Sequence, residues 1–390
     1  MTGGGSGGLK PGPPVDRGLK RSPPTGAGVP PTLEQVAALA GVSRATVSRV
    51  VNGSPRVSPA VRAQVERAVA KLGYVPNRAA RSLVTRRADS VALVVSEPHA
   101  RFFSEPFFAG MVRGVSAALA GTGVQLLLLI AQDLPDRVRL ERYVVGGHVD
   151  GVLLASLHGD DPLPGALERA GVPAVLVGRP ADRGGPGDRR GGPPVDRGGP
   201  GDRRGGPPVD REGPASYVDA DNRGGAALAV GHLAGLGRRR IASITGPLDM
   251  GVGLDRLDGY RDGLAAAGLA GGDLVETGDF TEEGGAAAMA RLLARPGPPV
   301  DAVFAASDLM AAGALRALRG AGQRVPDEVA VVGFEDSAVA RYAQPPLTTV
   351  RQPIEEMGRQ ATRLLLAKVA GEAGGMHLIL DVELVVRASA

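Results

Sequence analysis

Between residues 32 and 75 the apolar positions recur at helical spacing in three short runs. Leu33, Val36, Ala37 and Ala40 share one face of a first helix, opened by Thr32 with Gln35 at capping-box distance and closed by Gly41. Val47, Val50 and Val51 give the buried side of a second helix, with Ser43 as its N-cap and Asn52-Gly53 at its end. A third helix starts at Ser58 with Pro59 in the first helical position, carries Val61, Val65, Ala68, Val69 and Leu72, and stops at Gly73.

Beyond residue 89 the pattern changes to short continuous apolar runs alternating with helical segments. "SVALVV", a helix from Phe107 to Gly121, "VQLLLLIA", a helix from Asp136, "DGVLLAS", a short helix from Leu163 and "PAVLVG" follow in order. The alternation resumes after residue 215 through "RRRIASITG", "DAVFAAS" and "EVAVVGFED". Such runs predict parallel strands covered on both faces, here two doubly wound sheets with a ligand crevice at their strand ends.

Composition separates two stretches from this pattern. Gly and Pro concentrate in residues 1–31 and around 180–215, and neither stretch carries the apolar surface needed to order itself, so both are expected to be disordered. Charge divides the chain again: residues 1–88 hold fourteen Lys and Arg against Asp16, Glu34 and Glu66, a net of +11, which leaves −7 for the rest of a chain with formal net charge +4. A basic head on an acidic body points to a polyanion partner for the head alone.

In a helix-turn-helix the second helix enters the major groove with its first turn at the base edges. Arg44 and Ala45 hold those places and Arg49 follows; the Arg fork matches guanine O6 and N7, and the Ala methyl suits thymine. Ser43, Thr46, Ser48 and Asn52 are placed to bond phosphates. Asn77 to Val84 makes about two helical turns, too few to be stable alone. Leu83 there suits a wedge between base steps in the minor groove, with Asn77, Arg78 and Arg81 on the backbone.

The run "TLEQVAALAGVSRATVSRVVNGSPRVSPAVRAQVERAVAKLGYVPNRAARSL" resembles the DNA-binding head and hinge of the lactose-repressor (LacI/GalR) family, and "VDADNRGG", "RLDGYRDGL", "AASDLMAAGALRAL", "VVGFED" and "PPLTTVRQP" are similar to its effector domain. The resemblance implies an all-α helix-turn-helix head (32–75), a hinge helix and linker (76–88), and a periplasmic-binding-protein-like α/β effector and dimerisation domain (89–390). Its N-half would span about 89–218 and 353–378, its C-half about 219–350 and 379–390, with a disordered insertion at about 181–214. It further implies a homodimer on a pseudo-palindromic operator, controlled by a small molecule, a sugar or sugar derivative, most simply as a repressor. Carried over residue by residue, Arg256 clamps ligand hydroxyls or a carboxylate, Phe280 stacks on the ligand, Phe107 and Phe108 form an aromatic pair, and Ser307 and Gln352 are polar contacts. Glu335 stands where the family commonly has Asp, and Gly178, beside Arg179 at the pocket wall, replaces another acidic contact.

Other classes of function find little support. The five histidines (His99, His148, His158, His232 and His377) are scattered without dyad or metal-ligand spacing, and each reads as a surface or helix residue. There is no Cys, no phosphate-binding G-x-x-x-x-G-K-[ST], and "GVGLDR" lacks the third glycine of a dinucleotide fingerprint, so neither an enzyme, a cofactor nor a metal is expected. A solute-binding receptor without DNA function is the alternative, and it would carry a secretory signal where this chain has its basic head. No apolar run reaches a membrane span, so a cytoplasmic protein with no membrane partner is expected. The unit "GGPGDRRGGPPVDR" at 184–197, repeated unchanged at 198–211, reads as an expansion of one loop of the effector domain rather than a domain boundary.

Overall fold

The computed structural model describes residues 31–54, 56–75, 87–159, 161–181, 209–210, 216–269, 274–372 and 375–390. The chain divides into two compact units, residues 1–85 and 86–390. The proposed hinge residues Asn77, Arg78, Arg81 and Leu83 lie outside the described residues, as does most of the 181–214 insertion.

In the first unit, α1 (Leu33–Ala40), α2 (Arg44–Val51) and α3 (Pro59–Leu72) form where caps and periodicity predict them. The Gln35 amide donates to Thr32 Oγ1 at 3.3 Å while the Thr32 amide donates to Gln35 Oε1 at 2.9 Å, completing the capping box. Gly41 and Gly73 end α1 and α3 at φ 60° and 62°, a left-handed conformation that costs a residue with a Cβ roughly 1–2 kcal/mol. Val36, Val47, Val50, Val65, Ala68 and Tyr74 close a core between the helices. Each buried valine contributes about 1.5–3 kcal/mol, which stabilises helices too short to persist alone in water.

The second unit holds two sheets. The first has the strand order β2 (Gln125–Ile130), β1 (Ser90–Val95), β3 (Gly151–Ala155), β4 (Ala174–Val177), β6 (Ser216–Ala220), β12 (His377–Leu380) and β5 (Val209–Asp210). The second runs β13 (Glu383–Val385), β11 (Thr348–Arg351), β10 (Ala330–Glu335), β9 (Ala302–Ala305), β7 (Ile241–Thr245) and β8 (Val275–Thr277). All neighbours pair parallel except β12 with β5 and β11 with β13, at one end of each sheet. Every residue of β1, β3 and β10 is buried, as helices on both faces of a parallel sheet require.

β6 runs to Ala220 and β12 to Leu380, and the Asp221 amide donates to Leu380 O, so the chain leaves the first sheet within two residues of the approximate boundaries at 218 and 378. One detail differs from the sequence expectation. Val209 and Asp210, assigned by composition to the disordered insertion, form β5 against β12. Backbone groups at the end of a sheet accept any extended segment within reach, whatever its side chains.

Helices pack where small residues permit. Against α5 (Pro106–Leu119) lies α13 (Ile354–Val369), where a Cβ on Gly114 would stand 2.1 Å from Glu355 O, so only glycine allows this approach. This contact fastens the returning C-terminal segment to the N-half and brings Gln352 and Met357 to the space between the halves.

Candidate functional site

The recognition helix presents its proposed base-reading groups outward. Arg44, Ala45 and Arg49 are exposed. Arg44 Nε lies 2.9 Å from Glu34 Oε1 in an exposed ion pair that solvent screening keeps weak. Ser43 Oγ accepts from the Thr46 amide at 3.1 Å and meets Thr46 Oγ1 at 2.9 Å, so these hydroxyls first hold the helix start. Asn52 Nδ2 donates to Ser48 Oγ at 3.3 Å.

The second site is a cleft between the halves of the body. Seven of the eight proposed ligand residues line it: Phe107, Phe108, Arg179, Arg256, Phe280, Glu335 and Gln352. Ser307 does not; it is buried, and its Oγ accepts from the Met310 amide at 3.2 Å as the N-cap of α11 (Asp308–Gly320). As a cap the hydroxyl only accepts and keeps its O–H to donate, so the cap role and the proposed ligand contact are compatible.

Arg256, on α9 (Gly251–Ala266), is the centre of the cleft. Its Nε donates to Asn222 Oδ1 at 2.9 Å, Nη1 to Ala306 O at 2.5 Å and Nη2 to Gln352 Oε1 at 3.2 Å, while the guanidinium stacks 3.7 Å from the centroid of Phe334. Arginine carries five N–H donors. Three are engaged by these neighbours. Burial, against the pull of Glu335 and other carboxylates, lowers its pKa to about 10.

Carboxylates surround this arginine. Burial, then the charges of Glu105 and Asp308, pushes Glu335 well above the usual carboxylate range. Burial likewise raises Glu105, and lifts Asp219 to about 6 against the opposing charge of Arg179. Asp219 accepts from Asn222 Nδ2 at 2.9 Å and lies 3.4 Å from Arg179 Nε. Ser156, Phe280 and Glu335, all lining residues, have φ of 59°, 66° and 116°. Such backbone costs about 1–3 kcal/mol per residue and persists where packing enforces it, commonly at ligand sites.

Sequence reasoning missed Arg101, Glu105, Asn222 and Met250. Arg101 sits on α4 (His99–Ser104), where it pairs with Glu97 at 2.7 Å and Glu105 at 3.0 Å and lies over the Phe280 ring at 5.1 Å. Six residues are too few for a periodic signal. The i, i+4 spacing of Glu97, Arg101 and Glu105 was the available hint.

A basic recognition helix carried in one chain with a two-lobed body and a buried polar cleft defines a ligand-responsive DNA-binding regulator. Residues 32–77 match the family model described as bacterial regulatory proteins, lacI family, and residues 230–390 match the periplasmic binding protein-like domain. The chain is 53% identical over 361 residues to the HTH-type transcriptional regulator CelR of Thermobifida fusca, covering 92% of this chain and 98% of that one. It is 34% identical over 344 residues to the ribose operon repressor of Escherichia coli K12, covering 87% and 93%. Among solved structures, a CelR-cellobiose complex superposes with TM-score 0.69 at 51% identity over 92% of this chain and 100% of that chain, and a lac repressor dimer bound to operator and the anti-inducer ONPF with TM-score 0.74 at 26% identity over 93% and 99%. The chain belongs to the LacI family of bacterial transcriptional regulators. Among the described residues no helix is long and apolar enough to cross a membrane.

Proposed function

We propose that the protein is a dimeric, cytoplasmic repressor that binds a pseudo-palindromic operator and changes its hold on DNA when a neutral disaccharide of the cellobiose type fills the cleft. The observation that carries this reading is the setting of Arg256, which lines one cleft with Phe107, Phe280 and the buried carboxyls of Glu105, Asp219 and Glu335 and uses three of its five N–H groups in the bonds above. Hydroxyls of a sugar donate to carboxyls and accept from arginine, while the ring faces cover aromatic side chains. Burial raises Glu335, Glu105 and Asp219, so these carboxyls favour the protonated form and can donate as well as accept, which suits the hydroxyls of a neutral sugar. The relative solved with cellobiose supports the choice of disaccharide.

On the DNA side, Arg44 and Ala45 read base edges and Arg49 supports them, with Ser43, Thr46, Ser48 and Asn52 setting register on phosphates. Asn77, Arg78, Arg81 and Leu83 act as a hinge at the operator centre, and no reaction is performed on the ligand. Calorimetric titration of the full chain with cellobiose, glucose, ribose and gluconate tests the ligand assignment. The expected result is tightest binding of cellobiose; preference for gluconate, or no cellobiose binding, overturns it.

A further inference from the structure

We propose that His158 is a proton-operated tie across the mouth of the cleft, holding the two halves of the body together through Asp249 before any effector arrives. His158 follows β3 in the N-half, and Asp249 follows β7 in the C-half. His158 Nδ1 lies 2.9 Å from Asp249 Oδ2, and Nε2 lies 3.0 Å from Glu97 Oε1, which is buried at the end of β1. One residue further on, the Gly159 amide donates to Asp249 O at 2.8 Å, a main-chain bond between the same two halves.

The partners decide the protonation state. A neutral imidazole has one N–H and one lone pair, whereas a carboxylate only accepts. Neutral His158 therefore satisfies one carboxylate and turns a lone pair on the other. The imidazolium donates to both. The other charged group at this point is Arg101, 2.7 Å from Glu97, and Ser156 Oγ also donates to Glu97 at 2.5 Å. Arg101 is shared with Glu105 at 3.0 Å, so it does not by itself offset both Glu97 and Asp249, and protonated His158 supplies positive charge between those two carboxylates. Asp161, on the same loop, is turned away to Ser96 Oγ and the Leu163 amide. Hydrogen bonding to Glu97, partly opposed by burial, raises the His158 pKa above its ordinary 6.5.

Parting the halves removes Asp249 from the imidazole, so the closed form holds the proton more tightly than the open form. The tie is therefore complete at acid pH and weakens as pH rises through the raised pKa. Neither a cysteine, a metal nor a cofactor takes part, and the tie exists whichever sugar the cleft accepts.

Hydrogen exchange of the Gly159 amide in the full, ligand-free chain reads closure directly, after correction for the pH dependence of intrinsic exchange. Protection in the wild type is expected to fall several-fold between pH 6 and pH 8.5. His158→Gln, which bridges without titrating, is expected to show no such change, and Asp249→Asn to move the change to lower pH. The Val331 amide, bonded to Ser389 O in the C-half core, serves as the internal check that each variant is folded. Protection at Gly159 that does not vary with pH in the wild type, or that varies equally in His158→Gln, overturns the proposal and assigns any pH effect to the cleft carboxyls.

Discussion

The head and the cleft of this regulator solve opposite electrostatic problems. In the head, Arg44 and Arg49 stand exposed on one eight-residue helix, and the fold beneath them rests on valines that bear no charge. In the cleft, Arg256, Glu105, Asp219 and Glu335 are buried, drawn from positions far apart in the chain, and each holds the others in place. The proposed recognition groups in the head are separable from stability. Those in the cleft are not, because removing one member of a buried charged set leaves the rest unbalanced.

Arg256→Ala breaks this contrast most severely. It should abolish sugar binding and destabilise the body by about 3–5 kcal/mol, since Glu335 and Gln352 lose their partner in a buried site. Thermal unfolding measures the second effect, and an unchanged midpoint would show that the cleft charges do not support the fold. Next comes pH. Burial raises Asp219 and Asp308 from 3.8 to about 6, so the folded body takes up protons that the unfolded chain binds only near pH 4. These groups oppose folding at neutral pH, by on the order of 2–3 kcal/mol each, and the opposition is relieved as pH falls from about 7 toward 5. A body whose unfolding midpoint falls steadily over that window contradicts the assignment. Glu276, held low chiefly by its hydrogen bond from Arg291, loses its contribution only at more acid pH.

Two head variants sharpen the other side. Arg44→Ala should leave the unfolding of the head unchanged while weakening operator binding by about 1–3 kcal/mol per lost bidentate base contact and relaxing base preference at one position of each half-site. A selected-site experiment returning the wild-type motif would refute the base-reading role. Ser58→Ala reverses the pattern at the smallest scale: loss of the α3 N-cap destabilises the head by about 1 kcal/mol. Denaturant unfolding should register it, with operator affinity of the folded fraction unaltered.

The same contrast governs how much the sequence reveals. Caps at Thr32, Ser43 and Ser58 and terminators at Gly41 and Gly73 are local signals, and the three helices follow them closely. The parallel strands are legible because burial on both faces forces continuous apolar runs. The cleft is assembled by topology from β1 to the segment after β11, so periodicity carries no trace of it, and only resemblance to a family brought Arg256, Phe280 and Glu335 together. Ser307 marks the limit of a local signal, since a serine before a helix serves equally as cap or contact, and here it caps its helix without standing among the lining residues. His158 looked like an isolated surface histidine, since Glu97 and Asp249 lie 61 and 91 residues away in the chain. The pairing of Val209–Asp210 with β12 was hidden by composition, which reports poor core-forming capacity but not the availability of unpaired backbone at a sheet end.

The central claim is that occupancy of the cleft is communicated to the DNA-binding head. Fluorescence anisotropy of the full chain on a selected operator, with and without saturating cellobiose, tests it most directly. A change of roughly 5- to 150-fold in operator affinity is predicted, the range expected of coupling between two sites. Cellobiose that binds the body, by calorimetry on the same sample, yet leaves operator affinity unchanged would contradict it.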